Sequence, residues 1–184
     1  MKSLPITKFG DPILRSKAKR VDLKFLKTSK FKTLIKDMVY TMRRNHGIGL
    51  AAPQIGRSLQ IVVMETRPSK ARPDAEHRGP FFVINPKITS YSKNKVKGWE
   101  GCVSIHGIMA MVSRSKKVSV IYYNENGKKI SEEVSDLWAR LFQHEVDHLN
   151  GIGFLDRVED TKTIITLEEF NKRFTKKKKD KKTK

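Results

Sequence analysis

The segment His144-Glu145-Val146-Asp147-His148 carries two imidazoles four residues apart, with a carboxylate beside the first. On a helix each residue turns about 100°, so side chains at i and i+4 lie nearly one above the other. Two imidazoles so placed can grip one metal ion, and Glu145 can reach a water there as general base. The bland alternative is a pair of core histidines with an exposed glutamate. It would bury two imidazoles in need of hydrogen-bond partners, which weighs against it. A hydrolytic metal site takes three protein ligands and leaves one position open. A third histidine at position 154 would complete one extended metalloprotease pattern, but that residue is Phe154. Glu168 and Glu169 are downstream candidates of another type. Cys102 is the remaining one, since a thiolate is a good ligand for zinc or ferrous iron. Its setting, Trp99-Glu-Gly-Cys-Val-Ser104, is glycine-flanked in a way that a structural core cysteine does not require.

These groups need elements to position them. A helix over about Asp136–Asn150, ended by Gly151, places Leu137, Leu141, His144 and His148 at i, i+4, i+7 and i+11. The histidines thus continue an inward apolar stripe. An earlier amphipathic helix is marked by Phe31, Leu34, Ile35, Met38, Val39 and Met42, with Gly47 expected as its left-handed cap. Gly47–Gly56 reads as a loop of small residues that a ligand backbone can approach closely. Gln60–Thr66 and Phe81–Asn85 read as strands, with Arg67–Pro80 a polar surface loop between them. Val118–Tyr123 and Lys129–Val134 form a hairpin around Asn126-Gly127. A third helix is expected after Asp160, carrying Ile164, Ile165, Leu167 and Phe170. Residues 1–22 read as an irregular entry.

The chain has 184 residues, 38% apolar and 32% charged, enough for one core-forming globular domain. No apolar run approaches the roughly 20 residues of a membrane span, and the start lacks a secretory pattern. The single cysteine rules out an internal disulfide and fits a reducing compartment. A cytoplasmic location, no membrane partner and a monomer are the expectations. The net charge is +20, and Lys172–Lys184 alone holds nine Lys/Arg against one Asp. We expect a single catalytic domain over residues 1–171 and a basic, disordered tail over residues 172–184. Such a tail either seeks a polyanion, a ribosomal surface among them, or serves as a solvated appendage.

Three ordered segments resemble the motifs of the peptide deformylase family. They are Gly47-Ile-Gly-Leu-Ala-Ala-Pro-Gln54, Glu100-Gly-Cys-Val-Ser104 and Gln143-His-Glu-Val-Asp-His-Leu-Asn-Gly151. Lys8-Phe-Gly-Asp-Pro-Ile-Leu-Arg15 resembles the family's usual start, and the likeness spans roughly residues 5–158. The resemblance implies removal of the formyl group from the initiator methionine of nascent polypeptides, with release of formate. It implies Cys102, His144 and His148 as ligands of one divalent ion, natively Fe2+, with Zn2+ or Ni2+ also accommodated. Glu145 would move the proton. Gln54 and the backbone N–H of Val103 would steady the oxyanion, and Gly49 would pair with the substrate backbone. The same stripe and loop offer Ile48, Leu137, Leu141 and His144 as an apolar pocket for the methionine side chain. Fold class follows as α+β, with small, mainly antiparallel sheets around a central metal-bearing helix and a C-terminal helix.

The sequence departs from the family pattern at Val103, His106, Ser113 and Arg140. None is a motif ligand or base, so substrate preference and rate are the properties they bear on. Two rival readings have discriminating residues. A zinc endopeptidase would use Glu168 or Glu169 in place of Cys102. A basic RNA- or ribosome-binding module with a structural metal would have no use for Glu145.

Overall fold

The structure, a computed structural model, describes residues 1–68 and 76–174. Half of the loop expected at Arg67–Pro80, and residues 175–184 of the basic tail, lie outside the described residues. The N-terminal segment makes two short 3-10 turns, Pro12–Arg15 and Leu23–Lys27, capped by the side chains of Asp11 and Asp22. Helix α1 follows, Ser29–Arg44, with the Thr28 side chain accepting from the Phe31 N–H at its start. Its left-handed terminator is His46 (φ 55°), a correction to the expectation at Gly47. Gly47 is closely packed instead: a Cβ there would sit 3.2 Å from the Gly49 carbonyl.

The glycine-rich segment is ordered structure and not a loop. It forms strand β1, Gly49–Ala51, and a 3-10 turn, Ala52–Ile55, closed by left-handed Gly56. Strands β2 (Ile61–Thr66), β3 (Arg78–Tyr91), β4 (Lys95–Cys102), β5 (Ile105–Ser115), β6 (Lys117–Tyr123) and β7 (Lys129–Ser135) follow. Next come helix α2 (Asp136–Leu149), strand β8 (Ile165–Thr166) and helix α3 (Leu167–Phe174). One antiparallel sheet runs β1-β2-β3-β6-β7 and a second runs β4-β5-β8.

β2 is buried along its whole length because both faces of its sheet are covered. Ile61 and Val63 point to the α1 side, packing with Phe31, Met38 and Met42. Val62 and Met64 point to the α2 side, packing with Ala139, Leu141, Phe142 and Leu149. This period-two division is what an extended strand imposes. Each fully buried apolar side chain of this kind contributes about 1.5–3 kcal/mol. The opposite face of α2 looks onto β4 and β5, so the helix lies between the two sheets. The Gln143 side chain fixes its position by accepting from the Ser115 N–H (3.1 Å) and donating to the Ser115 carbonyl (2.9 Å). Gly151 (φ 76°) ends the helix, and its missing Cβ leaves room for the Arg15 carbonyl.

β3 begins at Arg78, inside the expected Arg67–Pro80 loop, and two further boundaries differ from the sequence expectation for physical reasons. β3 runs on past Asn85-Pro86, where Asn85 adopts φ 51° and its side chain bonds both backbone groups of Val21. The tight Asn-Pro step is absorbed as a register shift between Ile84 and Lys87. The third helix starts at Leu167, not after Asp160. Ile165 is a strand residue paired with Met109 of β5, and Thr161–Thr163 form a 3-10 turn. Lys172 and Arg173, assigned to the tail by composition, belong to α3. That helix lays Phe170 and Phe174 against Trp99 of β4, each at 5.4 Å between ring centroids.

Candidate metal centre

Cys102 ends β4, at the tight Val103-Ser104 turn that returns the chain into β5. The N-terminal segment ties this turn down: the Phe9 N–H donates to the Ser104 carbonyl (2.9 Å). Two residues away, the Thr7 N–H donates to the Gln54 carbonyl (2.9 Å), which joins the cysteine turn to the glycine-rich segment. α2 brings His144 and His148 opposite. Cys102 Sγ lies 3.3 Å from His148 Nε2, which lies 3.2 Å from His144 Nε2. Cys102, His144 and His148 thus place three donor atoms within 4.8 Å of one another. Glu168 and Glu169 take no part in this group: Glu169 is engaged by Lys172 and Arg173 on α3.

The residues fit a metal ion by their chemistry as well as their spacing. Burial pushes the Cys102 thiol up, but the adjoining His148 and His144 rings outweigh it and hold the pKa well below the ordinary thiol value. Burial alone would lower His144, yet its bonds to Cys102 and Glu100 hold it well above the ordinary imidazole value. The donor set therefore favours positive charge at its centre, a demand that a divalent cation meets. The tautomer is suited too. His144 Nδ1 lies 2.9 Å from Glu100 Oε2, which leaves Nε2 directed at the sulfur and the second imidazole.

Glu145 is buried to 3% exposure, and its Oε2 has no hydrogen-bond partner among the described residues. Burial raises its pKa, partly offset by the two histidines, which is the direction a base working near neutral pH requires. The β1 backbone passes directly over it: a Cβ on Gly49 would lie 2.1 Å from Glu145 Oε1 and 2.9 Å from Leu141 Cδ1. Gln54 Oε1 accepts from the Ala51 N–H (2.8 Å), and this fixes the amide so that Nε2 faces Cys102 Sγ (3.2 Å) and Ser104 Oγ (3.4 Å). Val103 sits half-buried between those two residues. Ile48 packs in the cluster that contains Leu141. Leu137 lies one turn earlier and lines a cavity of about 210 Å³ with Gly98 and Arg140.

Behind the donors lies a buried ion network that the sequence reading assigned no role. Arg114 is bidentate to Glu100 (both 3.0 Å) and reaches Asp147 (2.5 Å), which Arg157 also holds (2.7 Å). Glu100 is consequently held far below the usual carboxylate range: burial raises its pKa, and the bonds to His144 and Arg114 more than reverse that. Its alternation with Cys102 along β4 was the available signal, because residues i and i+2 of a strand share a face.

Fold and donor set define a class: α+β hydrolases in which two helix histidines and a strand-end cysteine can hold one metal ion. Comparison with known proteins is specific. The chain belongs to the polypeptide deformylase family, whose model matches residues 3–163. It is 39% identical over 173 residues to peptide deformylase 2 of a Nostoc species, covering 94% of this chain and 96% of the relative. It is 43% identical to the peptide deformylase of Halothermothrix orenii over 86% of this chain and 95% of that one. A Met-Ala-Ser-bound class I type b peptide deformylase from Acinetobacter baumannii superposes with a TM-score of 0.82 at 34% identity, covering 85% of this chain and 99% of that one. An actinonin complex of the Synechococcus elongatus enzyme gives 0.76 at 37% identity, over 87% and 81%. The chain is accordingly an enzyme, a hydrolase of the peptide deformylase kind.

Proposed function

We propose that the chain removes the formyl group from the N-terminal methionine of nascent polypeptides, releasing formate, with one divalent ion held by Cys102, His144 and His148. The observation that carries this reading is the buried Glu145 carboxylate oxygen, unpartnered among the described residues, set beside three converging donors and under the β1 backbone. A structural metal site has no use for a desolvated base at that position.

When bound, the ion supplies Lewis acidity, which makes water a nucleophile source at neutral pH. Glu145 takes a proton from the attacking water. Water oxygen bonds to the formyl carbon, the C–N bond breaks, and Glu145 returns the proton to the departing amine. The Gln54 amide and the Val103 N–H donate to the oxygen on which negative charge develops, so they act where the rate is decided. Gly49 offers its backbone to the peptide in strand fashion, and the absence of a side chain there lets the peptide lie close to Glu145. Ile48, Leu137, Leu141 and the His144 ring take the methionine side chain. The Met-Ala-Ser ligand of the Acinetobacter baumannii relative has the chemistry of a deformylated product, which supports this class of substrate.

Fe2+ is the ion we assign natively on the family resemblance, and the mixed thiolate–imidazole set also suits zinc and nickel. A cytoplasmic monomer acting at the ribosome, docked through the basic residues of positions 172–184, completes the reading. Among the described residues no helix is long and apolar enough to cross a membrane.

The test is formate release from formyl-Met-Ala-Ser by protein loaded anaerobically with one Fe2+ per chain. Turnover is expected in the wild type and not in Cys102→Ser, which should fail to retain the ion. A folded, stoichiometrically loaded wild type that releases no formate overturns the proposal.

A further inference from the structure

The three donors come from two elements, a strand end and a helix, so the centre depends on how α2 is rotated against β4. One carboxylate receives both a ring and a guanidinium from that helix. Glu100 Oε2 accepts from His144 (2.9 Å), and Oε1 accepts from Arg140 Nη1 (2.7 Å), one helical turn earlier. Arg114 of β5 holds the same carboxylate from within the sheet. The Arg140 guanidinium extends further across β4 and β5, donating to the carbonyls of Val96 (2.6 Å), Val112 (3.0 Å) and Gly98 (3.4 Å). A planar fork can satisfy several acceptors at once, which an ammonium cannot.

Gly98 makes this reach possible. A Cβ there would lie 2.9 Å from Arg140 Cζ and 2.9 Å from Nη2. The two residues are complementary: the strand leaves out a side chain, and the helix fills the space with a cation. His144 and Arg140 are thus two arms from α2 that close on one carboxylate and set the rotation of the helix.

We infer that Arg140 is a positioning residue of the metal centre, fixing the His144 ring through Glu100, and that Gly98 is glycine in order to admit it. This deepens the proposed function and rests on Cys102, His144 and His148 being the ligands. It concerns a position where the sequence departs from the family pattern, and it gives that departure a role.

The test uses full-length protein stripped by chelator and titrated with Co2+, followed by the visible d–d bands and the thiolate charge-transfer band. Near-ultraviolet circular dichroism monitors the fold. Arg140→Leu is expected to weaken Co2+ binding about tenfold or more, the scale of losses at groups that orient metal ligands, and to shift the d–d bands. Gly98→Ala leaves Arg140 and the ligands unchanged in identity, and should weaken binding in the same direction because its Cβ displaces the guanidinium. The double variant should bind no worse than Arg140→Leu alone, because both changes act through one group. Arg140→Lys should recover part of the affinity. Wild-type affinity and bands in either single variant, or losses that multiply in the double variant, overturn the inference. A failure of the metal reading itself is separate: the wild type would then show no thiolate band that Cys102→Ser removes.

Discussion

Glu145 illustrates a residue whose position opposes stability and serves chemistry. A carboxylate buried with one oxygen unpartnered destabilises the fold relative to a neutral group of the same shape. Glu145→Gln is therefore expected to lower kcat by about 10²–10⁴, the usual loss for a general base. Metal content should stay at the wild-type level and the melting temperature should be unchanged or higher. A fall in melting temperature together with near-normal turnover would argue for a structural carboxylate. Gly49→Ala probes the same spot from the other side, since the new Cβ cannot coexist with Glu145 Oε1 at 2.1 Å. It should cut turnover of formyl-Met peptides at least tenfold without loss of metal, as read by steady-state kinetics and metal analysis. At this scale the sequence was informative where spacing is local. His144, Glu145 and His148 follow from helical periodicity. Cys102 was one candidate beside Glu168 and Glu169, favoured by its glycine-flanked setting and by the family resemblance. Arg114 had no assigned role and Arg140 stood only as a departure from the family pattern, because their shared partner Glu100 lies 14 and 40 residues away on β4.

At the scale of elements, α2 is held by one polar clamp and one apolar face. Gln143→Leu keeps the volume near constant but leaves the Ser115 N–H and carbonyl without their partner. The expected cost is about 1–3 kcal/mol in chemical denaturation. No measurable change would show that the apolar face alone sets the helix position. α1, α2 and the β6–β7 hairpin were legible because each carries a complete local pattern: a 3.6-residue stripe, or alternation around Asn126-Gly127. β4 and β5 were not, because glycines at 98, 101 and 107 and exposed lysines at 95 and 97 blur the period-two signal. The third helix was placed too early for a related reason. Ile164 and Ile165 fit a helical stripe, but pairing of Ile165 with Met109 overrides that preference.

For the whole molecule, distant segments are joined by ion pairs whose strength depends on pH. Glu65 on β2 is buried against Arg43 of α1, with Arg67 and His77 nearby. The bond to Arg43 lowers its pKa, and burial opposes this without reversing it. A carboxylate with a depressed folded pKa stabilises above its unfolded value, about 4.3, and loses that contribution as pH falls through the folded value. The melting-temperature gap between wild type and Glu65→Gln should thus be full at pH 7 and narrow below about pH 4.3. A gap that persists unchanged into acid would remove this link from the account of stability. The basic residues at positions 172–184 call for a different experiment. Truncation after Phe174 should weaken ribosome co-sedimentation, most visibly at low salt, and leave hydrolysis of a short formyl peptide nearly unaltered.

X-ray absorption on anaerobically purified, fully reduced protein would look straight at the arrangement from which everything else follows. One metal per chain, surrounded by one sulfur and two imidazole nitrogens, is the expected spectrum. An ion with no sulfur neighbour in the loaded protein would contradict the assignment of Cys102 and, with it, the reaction proposed for this chain.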